Sequence, residues 1–79
     1  MIATEHPHIA RDPAISGGEP VIKGTRISVA HIVALHGIGE SPETIQIGLP
    51  HLSLAQIYDA LSFYYDHREE IDALIRKCQ

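Results

Sequence analysis

Six histidines, one cysteine and ten carboxylates are the side chains of this 79-residue chain whose chemistry could reach beyond packing, so their spacing comes first. A metal needs three or four ligand atoms converging on one point. His6-Pro7-His8 lies near the start of the chain, His31 and His36 are five residues apart and share no helix face, and His51 and His67 stand alone, so no metal site is expected. Cys78 has no cysteine partner for zinc or for an internal disulfide, which fits a reducing compartment, and a solvent-exposed thiol is the default at the tail. Serines and histidines occur without the Gly-x-Ser-x-Gly turn that would expose a nucleophile. Gly17-Gly18 and Gly24-Thr25-Arg26 can in principle cradle phosphate through backbone amides. No Gly-Lys-Ser/Thr pattern follows them and no helix starts directly after, so they read as glycines supplying positive φ to turns. Glu69, Glu70 and Asp72 read as one solvated helix face. Neither a catalytic group nor a cofactor is therefore expected, and an enzyme is not; a small hydrolase would need a deep pocket with convergent histidines and carboxylates.

Charge and length set the next limits. The formal charge is −4, with 44% hydrophobic residues, a globular composition. Residues 1–40 sum to −1 and residues 41–79 to −3. Non-specific affinity for nucleic acid comes from Lys and Arg on phosphates, so the acidic helical half points toward a protein rather than DNA. One domain spanning 1–79 is expected, small enough that a partner chain often completes the core. No apolar run approaches the ~20 residues of a membrane span, and the first ten residues lack a signal-peptide pattern, so a cytoplasmic location and no membrane partner are expected.

The elements that must position these side chains have two textures. Residues 1–28 are broken at Pro7, Pro13, Gly17-Gly18, Pro20 and Gly24, which excludes a helix there. Short β-type runs lie between the breaks, and Pro20-Val21-Ile22-Lys23 with Thr25-Arg26-Ile27-Ser28-Val29 reads as a β-hairpin turning at Gly24. Alone, such an arm would be marginal and would have to pack on the helices or pair with a neighbour's edge. From Ser28 the period becomes helical. Ser28 caps a first helix over about 29–36, and Ser41 with Pro42 starts a second that Gly48 and Pro50 end. Ser53 with Gln56 is a capping box for a third, with Leu52 stapled onto Ile57. The third helix is read with Leu54, Ile57, Tyr58, Leu61, Tyr64 and Tyr65 inward and Ser53, Gln56, Asp59, Ala60, Ser62 and Phe63 outward. Asp66 with Glu69 suggests a weaker cap, after which Ile71, Leu74 and Ile75 form one stripe on a fourth helix, separate from or bent off the third.

The second helix, the connection Leu49-Pro50-His51-Leu52 and the third helix have helix-turn-helix proportions, which would place the third helix in a major groove. Gln56 could pair with adenine, but the third helix carries no Arg or Lys. Positive charge would have to come from Lys23, Arg26 and Arg11, doubled in a dimer. The expected DNA contacts are therefore Lys23, Arg26, Ser53 and Gln56. The stripe Ile71, Leu74 and Ile75 is the expected partner or dimer interface, with packing against the third helix as its other reading.

One block is more specific than any of these patterns. Asp12-Pro13-x-Ile15-x-Gly17-Gly18-x-Pro20-Val21-Ile22-x-Gly24-Thr25-Arg26-Ile27-x-Val29 resembles the signature of the bacterial family of unknown function numbered 433. The step Gly39-Glu40-Ser41-Pro42-Glu43, the turn Leu49-Pro50-x-Leu52-Ser53 and the Tyr-rich helix match it in order and spacing, over about residues 8–75. The resemblance implies a mostly α fold, a three- to four-helix homeodomain-like helix-turn-helix bundle (29–79) behind a β-hairpin arm (1–28). It further implies a small, usually dimeric protein that binds DNA or a toxin, because some members are antitoxins encoded beside a PIN-domain nuclease. The expected function is an antitoxin-like protein that binds such a nuclease toxin and, as a homodimer or complex, its operator DNA. The alternative is a protein-interaction module that dimerises through its hairpin arm and never touches DNA.

Overall fold

Ser28, Ser41 and Ser53 all have extended backbone angles, and the hydroxyl of each accepts the amide three residues on, from His31, Thr44 and Gln56. An N-terminal turn has unpaired N–H groups, and a serine placed this way satisfies one of them. The helices therefore begin where these serines predict: α1 at Val29–Gly37, α2 at Pro42–Gly48 and α3 at Leu54–Asp66. At α3 the Gln56 side chain also accepts the Ser53 amide, completing the predicted capping box. The computed structural model describes residues 2–77, so Cys78 lies outside the described residues.

The fourth helix, α4 (Arg68–Lys77), is separate from α3, with His67 at the break. Asp66 is the last residue of α3 and bonds His6, so the predicted Asp66 cap of α4 gives way to a longer-range contact. Three short strands form an antiparallel sheet of order β1-β2-β3: β1 Ile2–Ala3, β2 Ile9–Arg11 and β3 Pro20–Ile22. This corrects the predicted hairpin, because β3 pairs with β2 (Ala10 opposite Val21) and not with the Thr25–Val29 run. That run is left with one bridge, Val21 opposite Ser28, and two backbone bonds, from the Ile22 amide to the Ile27 carbonyl and from the Thr25 amide to the Ile22 carbonyl. The local reason is Thr25. Its hydroxyl donates to the Ile22 carbonyl and accepts the Ile27 amide, closing a turn whose Gly24 sits at φ +82°, and Ser28 immediately caps α1.

The amino-terminal segment packs on the helices, one of the two arrangements expected of it. Ile9, Ala10, Val21 and Ile22 are at most 1% exposed, and the radius of gyration, 11.5 Å, matches the roughly 12 Å of a compact domain this long. The sheet packs on the helices through β2 against α3 and β3 against α1. A single core joins Ile9 and Ile22 to Ile32, Ile45, Leu52, Ile57, Phe63 and Ile71. Because α3 is covered by the sheet as well as by α1 and α2, its buried face is wider and rotated from the prediction. Ala60 and Phe63, read as outward, are fully buried, while Tyr58 and Tyr65, read as inward, are 50% and 61% exposed.

Removing the Ser53 hydroxyl strands a helix amide without disturbing the core. Ser53→Ala is expected to cost about 1 kcal/mol, a fall in Tm of about 4–8 °C for a domain of this size, checked by thermal unfolding followed by circular dichroism.

Candidate functional site

Three surfaces concentrate the side chains that packing does not consume. The first is the turn after β3. In the block Gly17 to Ile27, Pro20, Val21 and Ile22 are buried, Gly17, Gly18 and Gly24 hold positive φ, and Thr25 closes the turn. Arg26 is exposed and makes no hydrogen bond or ion pair among the described residues, and Lys23 is exposed beside it. Arg26 lines an open depression of about 610 Å³ with Ile15, Gly24, Thr25, Ile27 and His51, the last from the α2–α3 connection. Of the four residues predicted to contact DNA, Lys23 and Arg26 thus share a surface. Ser53 and Gln56 are bonded to each other's backbone at the cap, and the Gln56 carbonyl oxygen that bidentate adenine pairing requires is committed at 2.7 Å to the Ser53 amide. Arg11, the third predicted cation, forms a bidentate pair with Glu70 at 2.6 and 2.9 Å.

The second surface is the outer side of α2 and α3. Glu43 and Ile47 lie one turn apart on α2, and Tyr58, Ser62 and Tyr65 follow each other along α3. The Tyr58 hydroxyl donates to Glu43, so the two rows adjoin. Ile47 is 81% exposed. No Lys or Arg occurs between Arg26 and Arg68, so α1, α2 and α3 carry none.

The third is a polar cluster that the sequence did not reveal. His6 is 9% exposed, with Nδ1 3.0 Å from Asp59 Oδ1 and Nε2 2.8 Å from Asp66 Oδ2. Both ring nitrogens face carboxylate oxygens, an arrangement that favours the protonated imidazole. Burial opposes that charge, but the bonds to Asp59 and Asp66 outweigh it and hold His6 above the ordinary histidine pKa. Asp59 also accepts the His8 amide at 2.8 Å, while His67 donates to Glu5 at 2.5 Å and stacks on Phe63 with centroids 4.2 Å apart. No local spacing signals this cluster, because His6 and Asp66 are 60 residues apart.

The expected interface stripe on α4 divides. Ile71 is fully buried and belongs to the core, because α4 turns this position onto α1 and α3. Leu74 and Ile75 are half-buried and line a groove of about 350 Å³ with Ala30, His31 and Ala34 of α1. The solvated acidic face is likewise partly committed, with Glu70 paired to Arg11 and Asp72 accepting from the Tyr64 hydroxyl.

Four helices with a small antiparallel sheet at the amino terminus, and a Gly-Thr-Arg turn whose arginine is left exposed, define the class. The chain belongs to the DUF433 family, described as "Protein of unknown function (DUF433)", whose profile matches residues 9–64. It is similar to a DUF433 member protein from Anabaena variabilis known from its crystal structure, with 29% sequence identity and a TM-score of 0.83 over 87% of this chain and 68% of that one. No curated protein matches it. Among the described residues, no helix is long and apolar enough to cross a membrane.

The Arg11–Glu70 pair should make stability acid-sensitive. Arg11 holds the Glu70 carboxyl below its ordinary range, so the contribution is present above the unfolded value of about pH 4.3 and lost as pH falls through the lower folded value. With side chains 30% and 36% exposed, the pair is partly screened, and about 0.5–1 kcal/mol is expected. Arg11→Met should therefore lower Tm at pH 6 and differ less from the parent as the pH is brought to 3, measured by paired thermal melts.

Proposed function

We propose that this protein is a cytoplasmic, antitoxin-like binding module rather than an enzyme, holding a protein partner against the outer side of α2 and α3. The partner that the family resemblance implies is a nuclease toxin of the PIN-domain class. The single observation behind this reading is the exposed row of Ile47, Tyr58 and Tyr65, interspersed with Glu43 and Ser62, on helices without a Lys or Arg. Isolated surface hydrophobics need no explanation, but three along one side of adjoining helices resemble the apolar centre of an interface, where tyrosines are enriched. The acidic balance of the helical half, −3 over residues 41–79, would steer such a face toward a basic surface, as a nuclease presents to its substrate.

Co-expression with the PIN-type nuclease encoded beside this reading frame tests the proposal. A stable complex with suppressed nuclease activity is expected. Ile47→Asp with Tyr58→Ala should weaken it by about 30-fold or more, the ~2 kcal/mol of one hot spot, without lowering Tm. No adjacent nuclease, or a complex indifferent to both substitutions, overturns it.

A second reading, operator binding, is supported by Arg26, exposed and unbonded among the described residues, which lines one depression with His51, and by Lys23, exposed on the same turn. Here Lys23 and Arg26 meet phosphate and a homodimer doubles them, while the homeodomain-like arrangement would have α3 lie toward the groove. Electrophoretic mobility shift on the protein's own upstream DNA at low salt should show a band that Lys23→Ala with Arg26→Ala abolishes at unchanged Tm. The absence of a shift, with and without the nuclease, removes this reading. Pairing through the arm has less to work with: the bridge to Ser28 covers part of β3's outer side, and the opposite edge, β1, is two residues long.

A further inference from the structure

We propose that Glu5, His6 and Asp66 form a binding site for a divalent first-row transition ion, with Zn²⁺ the best match, tying the amino-terminal segment to the end of α3. The ligand atoms of these three residues lie within 4.8 Å of one another. One imidazole with two carboxylates is a donor set for a borderline cation, and the nitrogen ligand disfavours Mg²⁺ and Ca²⁺.

The ligands are also held in place. A metal-binding histidine usually donates its other ring N–H to a carboxylate, which fixes the orientation of the ring. Asp59 does this for His6, bonding Nδ1 at 3.0 Å and leaving Nε2 toward Asp66 and Glu5. Asp59 is itself anchored by the His8 amide, with its side chain 13% exposed. On the other side His67, at the break between α3 and α4, donates to Glu5 Oε1 and fixes that second ligand. Asp66 is 61% exposed and Glu5 58%, so the ion enters from solvent and water completes its coordination.

Charge favours the same occupant. Glu5, Asp59, Asp66 and Glu70 bring four carboxylates around His6 and His67, with Arg11 the permanent cation bonded into the cluster. Binding exchanges the proton on His6 Nε2 for the ion, and that proton leaves to water.

The test is titration of the untagged protein with ZnCl₂ and, separately, MgCl₂, by calorimetry and by thermal melting. One Zn²⁺ per chain and a raised Tm that excess EDTA reverses are expected, with no effect of Mg²⁺. Glu5→Gln and Asp66→Asn alter exposed side chains and leave the core intact, and each should weaken Zn²⁺ binding at least about tenfold. His6→Gln should abolish it. If His6→Gln does not fold, the two exposed variants still decide the matter. Equal Zn²⁺ affinity in the parent, Glu5→Gln and Asp66→Asn would place the ion on other histidines and overturn the site. No Zn²⁺ binding by the parent does the same.

Discussion

Asp59 lies on α3 with its side chain only 13% exposed, where a carboxylate is tolerated only if donors meet it. The amino-terminal segment brings those donors: the His6 ring and the His8 amide reach its two oxygens, so the sheet is seated on α3 by a charged clamp as well as by Ile9 and Phe63. A buried charge pair is weak evidence of net stability, but losing one partner leaves the other uncompensated. The clamp therefore acts chiefly as a register device. It places β2 at one position on α3, and β2 in turn fixes β3 and the turn that presents Lys23 and Arg26.

The distribution of cations divides the surface. From Ile27 to His67 the chain has no Lys or Arg, so α1, α2 and α3 carry no permanent cation to set against phosphate. The cations of the first half are Arg11, neutralised by Glu70, and Lys23 and Arg26, both exposed on one turn. The exposed row on α2 and α3 and the basic turn therefore share no side chain.

Much of the helical half was legible because its signals are local. A serine cap, a capping box and a proline at the first helical position each act within one turn, and α1, α2 and α3 begin where those residues put them. The sheet was less legible. Gly24 marks a real turn, but which strand β3 pairs with depends on β2, whose Ala10 lies opposite Val21, and the Thr25 hydroxyl takes up groups that a second strand would have used. The inward side of α3 was misread at Ala60, Phe63, Tyr58 and Tyr65 because a helical stripe assumes one packing partner, and α3 has the sheet as well as α1 and α2.

The sequence by itself determined where helices start, that glycines hold the turns, that the helical half is acidic, and that the chain carries the Gly-Thr-Arg block of its family. Each of these is a property of neighbouring residues or of composition. Only the tertiary structure decided that Ile71 is core while Leu74 and Ile75 line a groove, that Arg11 is spent on Glu70, and that Glu5, His6, Asp59, Asp66 and His67 meet. Residues sixty positions apart become neighbours through burial of Ile9, Ile22 and Phe63, and no short-range pattern encodes that collapse.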